Sequence, residues 1–494
     1  MWICKHFKSA TLLCLTAISM TAVGYTDERQ PILTTEKIDR IERMIQERMA
    51  ASSVPGMSLA IVRNGSVVYS QGFGVENRRG EPANSQTSFA LASVSKTFVS
   101  VLVLQLVEHG QIDLDRSVSG YLPEFQSRNK AASDQITVRH LLNQTSGLSG
   151  FVGNLGQHDS SRSPESLQIS VERLSRYALV SRPGERFEYS NSNFDVLGAL
   201  LENIYEMPFE DIVRRQIFEP LGMADSFVVA PYTEEHNQAD RYRYWAWWPR
   251  LYSAPMGRRL VASGGAFSST EDMTVYLTDL LSPEPTLISA SSVRLLFSLP
   301  DANALEGYGL GWFVEGTDFG ALAIHDGSIA GATSLVGFLP EEGFGFVILS
   351  NASIGMLTGN IRAIEGGVVD ILLDRPLRGA ETPMLYKFLY LAVLAILIGL
   401  LTWVFVVMKN SSRMLGNPRN CVRLLIFEIT PSIGLAGLGY VLWVAAPGAF
   451  QSSLFSLATF LPDIGLMLGT GAILAFGLAV LRPITAWRKL SRSL

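Results

Sequence analysis

The stretch SVSKTFVSVLVLQLVEHG, residues 93–110, carries the pattern on which the fold and function predictions depend. A serine stands three residues before a lysine, and an apolar run over residues 97–108 follows before Gly110. Because residues three apart on a helix share a face, we expect the Lys96 amine to lie beside the Ser93 hydroxyl. Lysine can take the serine proton when burial lowers its pKa. The pattern therefore predicts a nucleophile at the N-terminus of a buried helix, where the helix dipole favours negative charge.

The same Ser-x-x-Lys spacing occurs a second time, at Ser127 and Lys130. That copy lies in a polar stretch with no apolar helix behind it. A solvated loop explains it, since a lysine in contact with water keeps its charge and cannot act as a base. We therefore place the catalytic pair at Ser93 and Lys96.

A tyrosine and an asparagine form a second candidate motif, Tyr189-Ser190-Asn191, which is the only Tyr-x-Asn in the chain. A tyrosine near a lysine ammonium ionises more easily and can pass a proton to a leaving group. Asn191 can orient Lys96 or bind a substrate carbonyl. On its own, Tyr189 is better explained as a buried tyrosine with a satisfied hydroxyl.

The third motif, His325-Asp326-Gly327, precedes a predicted strand pair. A glycine at this position lets a substrate approach the strand backbone. The backbone N–H groups of Ser328 and Ser93 could together form an oxyanion hole. A single His-x-Gly carries almost no information, so its weight comes from its place after the other two motifs.

Ser-x-x-Lys, Tyr-x-Asn and His-x-Gly, in this order, resemble the motif set of the serine β-lactamase/penicillin-binding-protein-like superfamily, in its class C-like branch. The stretches that also resemble this family are residues 136–148, 220–223, 263–265, 269–273 and 308–312. The resemblance implies that Ser93 is the acylated nucleophile, with Lys96 and Tyr189 as the acid/base pair. It also implies that Asn191 and His325 line the site. The implied fold class is α+β, an antiparallel sheet flanked by helices plus a helical subdomain.

One departure from that family stands at His325, where many β-lactamases and penicillin-binding proteins carry lysine. Histidine is mostly neutral at pH 7, so the permanent cation for a substrate carboxylate is missing. This departure argues against efficient β-lactamase activity and leaves peptidase, amidase and esterase chemistry open. We expect no metal and no cofactor, and none of the six histidines forms a His-Glu-x-x-His motif.

The C-terminal third is strongly apolar and raises the mean hydropathy of the chain to +0.22. Runs over residues 388–408, 424–446 and 464–481 approach or exceed the roughly 20 residues that cross a bilayer as a helix. Basic residues cluster after the first and third runs, whereas the connection between the second and third has none. The positive-inside rule then places the preceding domain outside the cytoplasm. We predict three transmembrane helices, and association of copies through them is left open.

The N-terminus is typical of a secretory signal peptide, predicted over residues 1–24. Lys5 and Lys8 precede a short apolar run that ends in small residues, although an uncleaved anchor is the alternative. None of the three cysteines lies in the predicted domain, which excludes a disulfide and a thiol nucleophile there. The net charge of −5, without a basic stripe, gives no reason to expect nucleic acid as a partner.

Residues 30–375 are predicted to form one mixed domain, joined to the membrane by a linker over residues 376–387. Helical spacing of apolar residues predicts an opening helix over residues 38–49. Asn64-Gly65 between two apolar runs predicts a hairpin. The other predicted elements are a strand pair at residues 333–339 and 344–349 and a helix at residues 361–373.

Residues 241–252 (RYRYWAWWPRLY) are crowded with aromatic side chains and arginines. This stretch could line an apolar substrate pocket or contact the membrane interface, where Trp, Tyr and Arg are common. A packed insertion is the third interpretation, and it is slightly favoured.

The signal peptide, the hydrolase domain and the C-terminal helices together resemble prodrug-activating peptidases of nonribosomal peptide pathways and membrane-bound penicillin-binding-protein-like proteins. We predict a multi-pass protein of the inner membrane whose catalytic domain faces the periplasm. Its partner is predicted to be a small peptide or ester substrate, and its reaction the hydrolysis of peptides with D-amino acids through an acyl-enzyme. An esterase of the same family is the alternative, and a β-lactam sensor or a β-lactamase is a weaker one.

Overall fold

The computed structural model describes residues 33–229, 238–301, 303–353, 359–377, 384–410 and 429–493. The predicted signal peptide lies outside these residues. So do residues 378–383 of the predicted linker and residues 424–428 of the second predicted membrane span.

The strands of the described residues form one large sheet and two small ones. In chain order the strands are β1 (Gly56–Arg63), β2 (Ser66–Gly74), β3 (Phe89–Ala90), β4 (Phe227–Val228), β5 (Tyr242–Trp245), β6 (Trp248–Leu251), β7 (Ala266–Ser268), β8 (Glu306–Tyr308), β9 (Phe313–Thr317), β10 (Gly320–Ile329), β11 (Ala332–Leu339), β12 (Phe344–Ser350) and β13 (Ala352–Ser353). The large sheet has the order β2-β1-β12-β11-β10-β9-β8, and every neighbouring pair is antiparallel. The small sheets have the orders β13-β5-β6 and β3-β7-β4.

The helices account for most of the remaining described residues. In chain order they are α1 (Thr35–Ser52), α2 (Ser95–Glu108), α3 (Lys130–Ser133), α4 (Val138–Leu142), α5 (Gly150–Asn154), α6 (Ser166–Glu172), α7 (Asn191–Tyr205), α8 (Phe209–Val213), α9 (Glu219–Leu221), α10 (Val261–Gly264), α11 (Thr270–Leu281), α12 (Ala290–Leu295), α13 (Gly359–Leu372), α14 (Met384–Asn410), α15 (Thr430–Tyr440), α16 (Ala446–Ala449), α17 (Leu454–Phe460) and α18 (Pro462–Ser493). Residues 91–226 contain helices and turns but no strand, which matches the expected helical subdomain.

The predicted hairpin and the second predicted strand pair are both confirmed. Asn64 and Gly65 have φ of 49° and 76°, as a two-residue turn between paired antiparallel strands requires. Strands β11 and β12 pair over Thr333↔Ser350 to Leu339↔Phe344. The opening helix α1 and the closing helix α13 lie where helical periodicity placed them.

Helices cover both faces of the large sheet, which explains why its central strands are buried throughout. Every residue of β11 and β12 is buried. Their side chains alternate between two cores, with Val336 and Phe338 packing on the α2 side and Leu335 and Leu339 on the side of α1 and α13. The α+β fold with an antiparallel sheet and flanking helices is therefore confirmed.

The C-terminal helices bear out the membrane prediction only in part. Two helices of the described residues are long and apolar enough to cross a bilayer, Thr430–Ala449 and Pro462–Ile484, and less than half of each is buried. The first predicted span belongs to α14, whose apolar segment Tyr390–Trp403 is shorter than a span. Three transmembrane helices are thus not confirmed, because two candidates meet the length and hydropathy that a bilayer demands.

The aromatic stretch at residues 241–252 forms the hairpin of β5 and β6 and packs against the C-terminal helices. The ring centroids of Trp247 and Tyr390 lie 5.9 Å apart, and the backbone N–H of Ala246 donates to Asp463 Oδ2. Trp245 and Trp248 are exposed beside this contact. These contacts agree with the packed insertion that the sequence slightly favoured. The membrane-interface interpretation stays a prediction.

Candidate active site

Ser93 lies in a single turn of 3₁₀-helix, Ala92–Val94, which leads directly into α2. The preceding Ala92 has φ of 49°, a left-handed conformation that costs a residue with a Cβ roughly 1–3 kcal/mol. From Thr87 to Leu106 every residue except Ser93 is buried. The turn therefore presents one hydroxyl at the surface of an otherwise buried segment.

Lys96 is fully buried and its ammonium nitrogen contacts three oxygen atoms. Nζ lies 3.0 Å from Ser93 Oγ, 2.9 Å from Asn191 Oδ1 and 2.6 Å from the carbonyl oxygen of Ser263. It also lies 5.2 Å from the centroid of the Tyr189 ring. The structure thus brings the first two sequence motifs together around one nitrogen.

The electrostatic surroundings of Lys96 favour loss of its proton. Burial lowers the pKa of Lys96 to about 7, although the carboxylates of Asp195 and Asp326 act in the opposite direction. A substantial share of the amine is therefore neutral near physiological pH.

The hydrogen-bond polarity around Lys96 determines where a neutral amine would direct its lone pair. A neutral amine keeps two N–H donors and one lone pair. The Asn191 Oδ1 and Ser263 carbonyl oxygens can only accept, so they take the two N–H groups. The lone pair is left to face Ser93 Oγ, the one partner that has a proton to give.

Tyr189 differs in its protonation from the expectation based on sequence. Burial raises the pKa of the Tyr189 phenol well above its ordinary value, and a hydrogen bond with the Ser93 side chain opposes this only in part. Easier ionisation beside Lys96 is therefore wrong for this structure, because loss of hydration dominates. Tyr189 is held as a neutral phenol that contacts Ser93 and stacks 6.3 Å from Phe313.

His325 is buried, and both of its ring nitrogens have partners within the protein. Nδ1 donates to the carbonyl oxygen of Asp326 at 2.8 Å, since that oxygen can only accept. Nε2 then accepts from the Tyr308 hydroxyl at 3.0 Å. Burial lowers the pKa of His325 to about 4, so the ring is neutral at pH 7. Its ring centroid lies 6.5 Å from that of Tyr189, but a contact with substrate would require one of these two bonds to open.

Gly327 lies against the turn that carries Ser93. A Cβ added at Gly327 would stand 2.2 Å from the carbonyl oxygen of Leu91 and 3.1 Å from Ala92 Cβ. The sequence suggested a glycine that admits substrate, whereas here the space is filled by the backbone before the nucleophile. The missing side chain lets β10 pack directly on that turn.

Ser328 follows on the same strand, and its hydroxyl lies 3.0 Å from that of Ser353. Beyond Ile324, β10 pairs with β11 on one side, and no strand of the described residues pairs with its other edge. An oxyanion hole made by the N–H groups of Ser328 and Ser93 stays a prediction.

Replacing Gly327 by alanine is expected to lower the free energy of unfolding by about 1–3 kcal/mol, because the new methyl group overlaps the Leu91 carbonyl. Thermal unfolding measures the loss, and kcat/KM should fall with it as the Ser93 turn shifts. Gly366→Ala is the matched control, since a Cβ there meets nothing within 4 Å and helix α13 tolerates alanine. Equal stability of the two variants would contradict this packing.

The second Ser-x-x-Lys copy has a different environment. Lys130 Nζ forms an exposed ion pair with Asp134 at 2.8 Å. The Ser127 hydroxyl is buried and donates to the carbonyl oxygen of Asn129. The two side chains of this copy therefore bond to other partners, and no buried amine lies beside the serine.

Several residues of the site were not singled out from the sequence. Ser263 lies in a stretch that resembles the family, but its contribution is a backbone carbonyl, which no side-chain pattern reports. Asp326 stands inside the third motif and forms an ion pair with Arg362. Asp195 is buried one turn after Asn191, and Asn154 accepts from Asn191 Nδ2 at 3.2 Å. Among the residues that the structure describes, no group of His, Cys, Asp or Glu side chains is arranged to hold a metal ion.

A profile of the beta-lactamase family matches residues 41–365. The chain belongs to this family. The match begins in α1 and ends in α13, and it includes the serine, tyrosine and histidine motifs.

The relatives agree with this membership. Protein flp of Staphylococcus aureus (strain COL) is 28% identical over 325 residues, 65% of this chain and 64% of that protein. The chain thus spans less than two thirds of the length of this relative. The octameric penicillin-binding protein homologue from Pyrococcus abyssi superposes with a TM-score of 0.60 at 26% identity, covering 69% of this chain and 79% of that one. The D-amino acid amidase of Ochrobactrum anthropi SV3 has a TM-score of 0.59 at 23% identity, covering 69% and 98%, and at that identity shows the fold alone.

Proposed function

We propose that this protein is a membrane-anchored serine hydrolase, that its active site faces the extracytoplasmic side, and that it forms an acyl-enzyme at Ser93. The proposed substrates are peptides or amides that contain D-amino acids. The observation that carries the proposal is the geometry of Lys96. Its buried amine donates to two oxygens that can only accept, those of Asn191 and the Ser263 carbonyl, so the lone pair of the neutral amine faces Ser93 Oγ.

In the proposed reaction, the neutral Lys96 amine takes the proton of Ser93 while Oγ attacks the substrate carbonyl carbon. The new C–O bond gives a tetrahedral intermediate, whose oxygen the N–H groups of Ser328 and Ser93 are proposed to bind. When the C–N bond breaks, the Tyr189 phenol gives its proton to the leaving nitrogen, and the Lys96 ammonium restores it. Water then attacks the acyl ester by the reverse proton path, which releases the acid and regenerates Ser93.

The membrane location is supported by two features of the C-terminal region. Two of its helices are long and apolar enough to cross a bilayer. The exposed indoles of Trp245 and Trp248 stand beside these helices, as is typical of side chains at a membrane interface. We place the catalytic domain on the periplasmic side of this membrane, as the sequence predicted.

An esterase is the second candidate function, and the neutral His325 favours it. A small ester has no free carboxylate, so it needs no cationic side chain in the site. The buried, neutral imidazole of His325 supplies no such cation. The likeness in fold to a D-amino acid amidase leads us to rank amide substrates first. The same missing cation speaks against efficient β-lactam hydrolysis.

Hydrolysis of matched substrates by the full chain in detergent tests this order. We expect D-phenylalanine amide to be cleaved at least about tenfold faster, in kcat/KM, than its L-enantiomer, since about 1.4 kcal/mol of transition-state binding gives a factor of ten. A short acetyl ester and a fluorescent penicillin complete the panel. Cleavage of the ester alone would replace the amidase proposal by the esterase, and failure on every substrate with Ser93 intact would contradict both.

A further inference from the structure

The connection between the two long apolar helices, residues 450–461, lies against the catalytic domain next to the active site. We infer that two of its residues, Gln451 and Ser456, are positioning residues for the catalytic lysine, and that they act through Asn154. This inference rests on the proposed role of Lys96 as the base. The C-terminal region would then orient the catalytic lysine in addition to its proposed role as a membrane anchor.

A continuous series of hydrogen bonds joins Lys96 to the connection. Lys96 Nζ donates to Asn191 Oδ1 at 2.9 Å, and Asn191 Nδ2 donates to Asn154 Oδ1 at 3.2 Å. Asn154 Nδ2 in turn donates to the backbone carbonyl oxygen of Gln451 at 3.0 Å. Two side-chain amides therefore link the catalytic amine to the connection between the helices.

The direction of each hydrogen bond in this series is determined by the Gln451 carbonyl, at the end opposite to Lys96. A backbone carbonyl can only accept, so the Asn154 amide must direct its NH₂ group at Gln451. Its oxygen is thereby directed at Asn191, which must answer with its own NH₂ group. The Asn191 oxygen is then the atom left for Lys96. The carbonyl of Gln451 thus selects the amide orientation that orients the lysine lone pair towards Ser93.

A second contact holds the backbone of Asn154 in place. Ser456 is fully buried, and its hydroxyl donates to the carbonyl oxygen of Asn154 at 3.0 Å. Asn154 is the last residue of the short helix α5, so its carbonyl has no partner further along that helix. The Ser456 hydroxyl donates a hydrogen bond to this carbonyl and so holds the end of α5 against the connection.

The same connection also touches the segment that carries Tyr189. The Gln451 side-chain oxygen lies beside Gly150, where a Cβ would stand 2.4 Å from it and 2.7 Å from the Tyr189 carbonyl oxygen. Gln451 itself has φ of 48°, a conformation that an L-residue keeps only when its surroundings hold it. Arg243 Nη1 donates to the Thr459 carbonyl oxygen at 2.9 Å, so the other end of the connection is also tied to the catalytic domain.

The test compares two serines of the same connection in the full-length protein. Ser456→Ala removes the hydroxyl that reaches Asn154, and we expect kcat to fall about three- to tenfold with KM unchanged. Ser452→Ala is the matched control, because within the described part of the chain its hydroxyl donates to the neighbouring Ser453 carbonyl oxygen and not to Asn154. Loss of this buried hydrogen bond should lower the unfolding temperature of Ser456→Ala modestly. A fall in kcat measured well below that temperature, with KM unchanged, separates positioning from loss of folding.

A double-substitution cycle gives the second readout. Asn154→Ala alone should lower kcat by more than Ser456→Ala, since it breaks the link to Asn191 directly. The two together should be no worse than Asn154→Ala, because Ser456 acts through Asn154. Additive losses, or equal kcat for the Ser456→Ala and Ser452→Ala variants, would overturn the inference while leaving the proposed function in place. Unchanged turnover in Ser93→Ala would instead overturn the proposed function.

Discussion

Lys96→Met is expected to lower kcat/KM by about 10²–10⁴-fold, the range that a positioned general base supplies. Methionine has the length and apolar stem of lysine, so it fits the fully buried position without a cavity. It has no nitrogen to take the Ser93 proton, and the acceptors on Asn191 and Ser263 lose their donor. The loss should appear in kcat, because Lys96 does not contact the substrate in the proposed reaction.

The pH dependence of the parent enzyme checks the same role. Because burial lowers the pKa of Lys96 to about 7, kcat/KM should rise with pH and level off above neutrality, where the amine is free. Lys130→Met is the matched control, since Lys130 forms an exposed ion pair away from the site. A variant at Lys96 with parental kcat/KM and an unchanged pH profile would contradict the proposed base.

Ser93→Ala is expected to lower turnover by at least about 10⁴-fold, the largest effect that we predict. The substitution removes one oxygen from a partly accessible position and leaves the turn and helix α2 with their apolar contacts. Folding should therefore be unaffected, so thermal unfolding of the variant should match the parent. Any residual turnover in Ser93→Ala would come from substrate binding by the rest of the site, without a serine nucleophile.

Ser127→Ala provides the control for this change. Ser127 has the same sequence spacing to a lysine, but its hydroxyl donates to the carbonyl oxygen of Asn129. Its loss should leave kcat/KM at the parental value. Loss of activity in Ser127→Ala with retention in Ser93→Ala would reverse the assignment made between the two motifs.

The parts of the fold that the sequence predicted are those with local physical causes. The apolar run after Lys96 is long enough to require a buried helix, and α2 is buried over most of its length. Asn64 and Gly65 accept positive φ at low cost, which made the first hairpin recognisable. The apolar runs at residues 333–339 and 344–349 predicted a strand pair, and β11 and β12 lie there.

The parts that the sequence did not predict depend on contacts between distant segments. The Ser263 carbonyl reaches Lys96 across 167 positions of the chain, and the Gln451 carbonyl reaches Asn154 across 297. Backbone atoms carry both contacts, so residue types give no signal for them. The raised pKa of Tyr189 likewise depends on the residues that pack around the ring, which a three-residue motif cannot express.

Gly327 illustrates an intermediate case. The sequence marked the position as one that needs glycine, but the physical reason is close packing of β10 on the Ser93 turn. The distinction matters for design, because a substitution there is expected to disturb the nucleophile before it alters substrate entry.

Intact-protein mass spectrometry of the full chain, after brief exposure to a slowly deacylating ester or a fluorophosphonate, tests the central claim most directly. We expect one covalent adduct per chain in the parent and in Ser127→Ala, formed more slowly in Lys96→Met and absent in Ser93→Ala. An adduct of undiminished yield in Ser93→Ala would contradict it.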